Sequence, residues 1–204
     1  DKSGVVVKHH AELAGKTTLV NESDLKAETL TEEKGAELSE NKSGVVVEKH
    51  AEINGSHNMK NKSSFQAQSL HVGSDGKVES KESLTEVKGK MVVDGKVDSQ
   101  GSKLVAGNLV NNKETKLLGS VVEVNNLTTN KGGTTLMAGS EVTVKGTLTN
   151  HGETDAFQKT KLHAGKIDNT SGGSIVVVES ELTANTVNDA GAMQTVNSEV
   201  HINH

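Results

Sequence analysis

One short pattern of polar and apolar positions returns down the whole chain: S-x-Φ-x-[A/V], where Φ is nearly always apolar. It reads Ser23-Asp24-Leu25-Lys26-Ala27, Ser63-Ser64-Phe65-Gln66-Ala67, Ser83-x-Thr85-x-Val87, Ser102-x-Leu104-x-Ala106, Ser120-x-Val122-x-Val124 and Ser140-x-Val142-x-Val144. Thr160-x-Leu162-x-Ala164, Ser180-x-Leu182-x-Ala184 and Ser198-x-Val200-x-Ile202 follow. With Ser3 and Ser43 there are eleven starts, separated by 20, 20, 20, 20, 19, 18, 20, 20, 20 and 18 residues. Alternation within the phrase sends both apolar side chains to one side of a strand and the x residues to water, whereas a helix needs spacings of three and four. The near-identical phrases Lys2-Ser3-Gly4-Val5-Val6-Val7 and Lys42-Ser43-Gly44-Val45-Val46-Val47 stand 40 residues apart, as if two adjacent units had been copied together.

Each unit has two further apolar points. The second is Leu30, Leu70, Leu109, Leu127, Leu148, Ile167 or Val187; the third is Leu19, Leu38, Met59, Val78, Val97, Leu117, Leu136, Phe157 or Ile175. Three points predict three faces. Between the second and third lie turn residues such as Asn130-Lys131-Gly132-Gly133, Asn150-His151-Gly152 and Asn169-Thr170-Ser171-Gly172-Gly173, which supply the positive φ that tight corners demand. A unit of this size cannot bury its apolar face alone, but stacked on copies of itself it makes one turn of a solenoid. The expected fold is all-β, a single-stranded parallel β-helix of ten to eleven turns with about 20 residues per turn, and residues 1–204 form one repeat segment. Ten steps of about 4.8 Å give a rod roughly 50 Å long, with a lumen expected to hold aliphatic side chains only. The serine column reads as a row of small turn formers, or alternatively as a hydroxyl ladder along the rod.

Composition agrees with a narrow core. Trp, Tyr, Cys and Pro are absent, Phe occurs only at 65 and 157, and the hydrophobic share is 32%. Without cysteine there is neither a disulfide scaffold nor a thiolate metal site, and the redox compartment stays open. A net charge of −5 with dispersed lysines offers no basic patch, so nucleic acid is not an expected partner. No apolar run approaches the roughly 20 residues of a membrane span.

The phrase L-x-A-x-x-[L/I] followed by N-x-G-G, as in Leu162-His163-Ala164-Gly165-Lys166-Ile167-Asp168-Asn169-Thr170-Ser171-Gly172-Gly173, resembles the repeats of the filamentous haemagglutinin and contact-dependent-inhibition exoproteins of Gram-negative bacteria. The resemblance spans nearly the whole chain. It is strongest from Val122 to Ile202 and looser before, where charged stretches such as Thr31-Glu32-Glu33-Lys34-Gly35 replace the Asn-Gly-Gly corner. It implies a right-handed helix forming a shaft segment of a much longer secreted or cell-surface protein. That protein would be exported through an outer-membrane transporter of the two-partner type and used in adhesion or toxin delivery, with the receptor bound by regions outside this segment. The family's secretion domain carries Asn-Pro motifs and is not expected here, because the chain has no Pro. The alternative reading is the passenger shaft of a β-helical autotransporter adhesin.

Other classes fit less well. Carbohydrate-active β-helices place acidic clusters beside aromatic residues that stack on sugar. Here Tyr and Trp are missing, and Asp75, Asp94, Asp98, Asp155, Asp168 and Asp189 fall at differing repeat positions. An ice-binding rod needs an unbroken threonine rank, which Thr85, Thr143 and Thr183 do not form. Calcium rolls need GGxGxD repeats, of which Gly73-Ser74-Asp75-Gly76 is a lone imperfect echo. His10 and His50 share a repeat position but lie two turns apart, with Leu30 expected between them and a gap of roughly 10 Å, too far for one zinc ion. His9, His57, His71, His151, His163, His201 and His204 follow no ligand spacing and are read as solvent-facing or corner residues. The expectation is a non-enzymatic protein with no catalytic, cofactor-binding or metal residue. Strands at both ends of the pattern lack polar caps, so end-to-end self-association is expected.

Overall fold

The computed structural model describes residues 3–203; Lys2 of the first Lys-Ser-Gly-Val-Val-Val phrase and His204 lie outside the described residues. The chain winds through ten coils and begins an eleventh, each coil made of one long and one short strand. They are β1 (Gly4–Leu13) and β2 (Lys16–Val20), β3 (Asp24–Glu32) and β4 (Glu37–Asn41), β5 (Gly44–Ile53) and β6 (Ser56–Lys60), and β7 (Ser64–Val72) and β8 (Lys77–Lys81). Next come β9 (Leu84–Val93) and β10 (Lys96–Gln100), β11 (Lys103–Asn111) and β12 (Glu114–Leu118), and β13 (Val121–Thr129) and β14 (Thr134–Ala138). The last are β15 (Glu141–Asn150) and β16 (Glu153–Phe157), β17 (Lys161–Asn169) and β18 (Ser174–Val178), β19 (Glu181–Asp189) and β20 (Ala192–Val196), and β21 (Glu199–Ile202). Long strands pair in parallel into an 11-stranded sheet and short strands into a 10-stranded one. The fold is a β-solenoid, and no helix occurs among the described residues.

Three faces arise from two sheets because the long strand turns a corner without losing its ladder. In β13, Val122 and Val124 point inward, Asn125 and Asn126 both point outward, and Leu127 and Thr129 point inward again. Two consecutive outward residues break strict alternation and redirect the strand. Where a nine-residue strand stacks on a ten-residue one the register slips at this corner, as between Val124 and Leu127 against Val144 and Leu148. The short-strand sheet from β10 to β18 has no such slip, so its outward side chains form straight columns.

Two glycines of the Asn-Gly-Gly corner are needed for different reasons. Gly132 and Gly172 have φ of +82° and +89°, in the left-handed region. Gly133 has an ordinary φ, but a Cβ there would stand 2.6 Å from the Asn111 carbonyl of the coil below. The corner before each serine also requires positive φ. Gly101, Gly119 and Gly139 meet that need without strain, whereas Lys42, Glu82, Lys159, Glu179 and Asn197 meet it with side chains attached.

The serine column is both turn former and ladder. Ser120 Oγ accepts the N–H of Ser102 at 3.3 Å and donates to the Ser99 carbonyl at 2.9 Å, while the N–H of Ser120 reaches Ser140 Oγ at 3.0 Å. The step repeats from Ser83 to Ser102, from Ser140 to Thr160 and from Ser180 to Ser198.

Several expectations need correction. Leu136 and Phe157 face outward, and the third inward points of their coils are Met137 and Ala156. The lumen is not purely aliphatic: Phe65 is its largest fully buried side chain, and Asn111, Thr129, Asn150 and Asn169 form a buried polar column. Their amides need partners at this depth and find them, with Asn150 Nδ2 donating to Asn169 Oδ1 and to the Ser174 carbonyl, each at 2.9 Å. In the apolar remainder each Leu, Val or Ile contacts its counterpart one coil away, and each such burial contributes roughly 1.5–3 kcal/mol.

Candidate functional site

Two constellations of ionisable groups stand out, one in the lumen and one outside. The inner one corrects the reading of His57 as a solvent-facing residue. His57 occupies the second position of β6, where β4 and β8 place Leu38 and Val78, and its exposure is 0%. Its Nδ1 lies 2.5 Å from Glu32 Oε1 and its Nε2 lies 2.5 Å from Glu40 Oε1. Both carboxyls are buried, and the imidazole meets the ring of Phe65 edge-on, with centroids 5.1 Å apart.

Burial opposes a charged imidazole, but the charge and hydrogen bond of Glu32 and the hydrogen bond of Glu40 outweigh it and push the His57 pKa up to about 10. Burial drives Glu40 the other way, above the usual carboxylate range and toward its protonated form, partly offset by the hydrogen bond to His57. The remaining oxygens, Glu32 Oε2 and Glu40 Oε2, have no hydrogen-bond partner. Chemically this is a sealed proton-holding cluster. With its imidazole saturated by two carboxyls and every atom out of solvent reach, it can store or release a proton but has no route to a substrate.

The outer constellation is a chain of polar side chains running up the surface across successive coils. Ser69 Oγ lies 2.8 Å from His50 Nδ1, and His50 Nε2 is 3.6 Å from Glu52 Oε2. Glu52 Oε2 is 2.8 Å from His71 Nδ1, and His71 Nε2 is 2.7 Å from Asp94 Oδ2. Asn112 Nδ2 donates to Asp94 Oδ1, and Asn130 Nδ2 donates to Asn112 Oδ1, each at 2.5 Å. The hydrogen bond from Asn112, then the pairing with His71, hold Asp94 below the usual carboxylate range. His71 is raised: partial burial works against its charged form, and Asp94 and Glu52 more than compensate. Serine, histidine and glutamate here follow the order of a nucleophile, base and acid. The 3.6 Å gap exceeds a hydrogen bond, however, and the His50 side chain is 48% exposed, so the imidazole is neither oriented nor desolvated as a general base requires.

The other histidines are placed individually. His10 bonds Thr29 at 2.9 Å and His151 bonds Thr170 at 2.7 Å, each one coil away. Thr29 rather than Leu30 stands beside His10, because Leu30 faces inward between Ala11 and Ala51. No group of three or more His, Asp or Glu side chains among the described residues has the geometry to hold a metal ion. A surface depression follows the serine corner past Glu22, Lys42, Asn61, Lys62 and Glu82, with both signs of charge along it. No protein-family model, curated protein or solved structure matches this chain.

Glu32, Glu40 and His57 escape a reading of the apolar positions alone. Their signal lies in the gaps: each stands where neighbouring units carry Ile53, Met59 or Leu38 in the same column. Three ionisable residues at three inward positions within consecutive coils is the mark of a paired cluster.

Proposed function

We propose that the chain is a structural shaft segment of a large bacterial secreted or surface protein, an adhesin or a contact-dependent toxin-delivery protein, which spaces a distal binding or toxic domain from the cell. The observation that carries this reading is the continuity of the stack. Every strand from β3 to β19 is laddered to the coil above and the coil below, and the lumen between them holds one continuous apolar core, so load and length pass through the segment without a hinge. The resemblance of Leu162–Gly173 to exoprotein repeats supports the same reading, and the proposal includes export through a two-partner outer-membrane transporter and residence at the surface of a Gram-negative cell.

The test is replacement. In the full-length protein, the segment is exchanged for an unrelated solenoid of equal length, and target-cell binding or delivery is measured beside a simple deletion. A shaft predicts that deletion impairs the activity and that the foreign solenoid restores it. Failure of restoration with normal export, or direct binding of the isolated segment to target cells, would show that the segment has a recognition role and overturn the proposal.

A further inference from the structure

Of all the asparagines in the chain, only Asn54 is followed by glycine. That order matters chemically. The main-chain nitrogen after an asparagine can attack the side-chain amide carbon and close a five-membered imide, and a Cβ on the following residue obstructs the approach. Two aspartates share the arrangement, at Asp75-Gly76 and Asp94-Gly95, so the same corner of three consecutive coils offers the same ring closure.

The fold separates the three. The Gly76 N–H donates to the Gly73 carbonyl at 2.8 Å, and Asp75 is paired with Lys34 at 3.1 Å. The Gly95 N–H donates to the Val72 carbonyl at 3.1 Å, and the Asp94 carboxylate is held by His71 and Asn112. Asn54 has neither restraint: among the described residues its half-buried side-chain amide and the Gly55 N–H both lack a hydrogen-bond partner. That N–H stands between two ladder bonds, from the Asn54 N–H to the Glu32 carbonyl and from the Ser56 N–H to the Ala36 carbonyl, each at 2.8 Å. The Asn54 amide oxygen lies over Gly73, where a Cβ would stand 2.0 Å from it and 3.3 Å from Glu52 Oε1.

We propose that Asn54-Gly55 is a self-modification site, at which the folded rod converts an amide into a carboxylate with water as the only co-reactant. The Gly55 nitrogen loses its proton and bonds Asn54 Cγ; the Cγ–Nδ2 bond breaks, and the amide nitrogen leaves as ammonia. Water then opens the imide at one of its two carbonyls. Breaking the new bond to Cγ restores the ordinary main chain as aspartate. Breaking the original peptide bond to Gly55 leaves the chain running through the side chain as isoaspartate. Nothing is oxidised or reduced.

Both products reach the clusters around His71 and His57. A carboxylate at position 54 faces the same point of Gly73 as Glu52, and so adds a second negative charge beside the one that holds His71. Isoaspartate adds a main-chain carbon between the N–H bonded to Glu32 and the N–H bonded to Ala36. The corner then no longer matches the coil below, close to the lumen position of His57.

The test is incubation of the chain at pH 6 and pH 8, with circular dichroism to establish that it stays folded, followed by ammonia release and peptide mapping that separates aspartate from isoaspartate. Loss of the Asn54 amide should run at least about tenfold faster than conversion at any other asparagine or at Asp75 and Asp94, and faster at pH 8, because the deprotonated nitrogen is the attacking form. Asn54→Gln would need a six-membered ring and should release no ammonia at this corner. An Asn54 amide that survives in the folded chain would overturn the proposal, whether or not a urea-unfolded chain loses it, since the fold would then protect the site or the pair would be inert. Equal loss at the other asparagines, or ammonia release unchanged by Asn54→Gln, would overturn it as well.

Discussion

Removing the cation from the buried Glu32–His57–Glu40 cluster separates two kinds of stability. His57→Leu installs the residue that β4 carries in the same column, so the volume fits, but it leaves two carboxyls facing a lumen without a partner. Breaking a buried ion pair from one side costs about 3–5 kcal/mol, and here Glu32 Oε2 and Glu40 Oε2 already lack partners. Replacing all three residues by their column neighbours (Glu32→Ile, Glu40→Met, His57→Leu) removes every desolvated charge and should leave stability unchanged or raise it by about 1–4 kcal/mol. The pH dependence follows from the raised pKa values. A group raised in the folded state contributes stability that is complete below its unfolded pKa and is lost as pH climbs through the folded one. For His57 that window runs from 6.5 to about 10 and corresponds to at most about 5 kcal/mol at roughly 1.4 kcal/mol per pH unit. Glu40 is raised as well, so its contribution has the same sign and is also lost with rising pH. Urea melts at pH 6, 8 and 10, followed by circular dichroism, should show the wild type weakening toward pH 10 and the triple variant nearly level across that range. If His57→Leu is as stable as wild type at pH 7, or if wild type and triple variant share one pH profile, the cluster is not the ionic assembly described.

Three other outcomes follow from the coil geometry. Deleting Val142 to Lys161 joins Glu141 to Leu162 in register and leaves nine-residue β13 stacked on a nine-residue successor; the rod should shorten by about 5 Å in small-angle scattering and keep its melting temperature within a few degrees, whereas deleting only Val142 to His151 should unfold the neighbouring coils. Glu82→Gly relieves a non-glycine residue at φ of +50° and should gain about 0.5–1 kcal/mol in urea melts, while Gly139→Val, at φ of +58°, should lose 1–2 kcal/mol or so. Ser120→Ala removes the acceptor for the Ser102 N–H and the donor to the Ser99 carbonyl, and should cost roughly 1–3 kcal/mol with faster amide exchange at Ser102.

What could be read from the chain was whatever recurs with the coil. The S-x-Φ-x-[A/V] phrase located the first face because its inward positions are apolar in nearly every unit, and the second point held from Leu30 to Ile167 for the same reason. The third face was harder, because a five-residue strand with apolar residues on both sides has no contrast to reveal its phase. In β14, Leu136 and Met137 are adjacent and equally apolar, and in β16 the large Phe157 lies outside while small Ala156 lies inside. Phase there is decided by the ladder with the next coil: Thr135 and Met137 align with Thr154 and Ala156, and the buried hydroxyls of Thr135 and Thr154 meet Thr129 across the corner at 2.8 and 3.2 Å. The inward side of β14 is therefore fixed by a polar contact that hydrophobicity alone assigns to solvent. The same reasoning covers the cluster at His57, where a charged side chain is inward because its counter-charges are one coil away rather than nearby in sequence. In a solenoid the chemically informative neighbour of residue i lies near i ± 20 or across the corner at about i ± 25, so polar residues must be read down columns before they can be called exposed. Read that way, Leu118, Leu136, Phe157, Val176 and Val178 are anomalous for the opposite reason: they are apolar in outward columns that carry Lys and Glu elsewhere, and the fold itself gives them nothing to cover them.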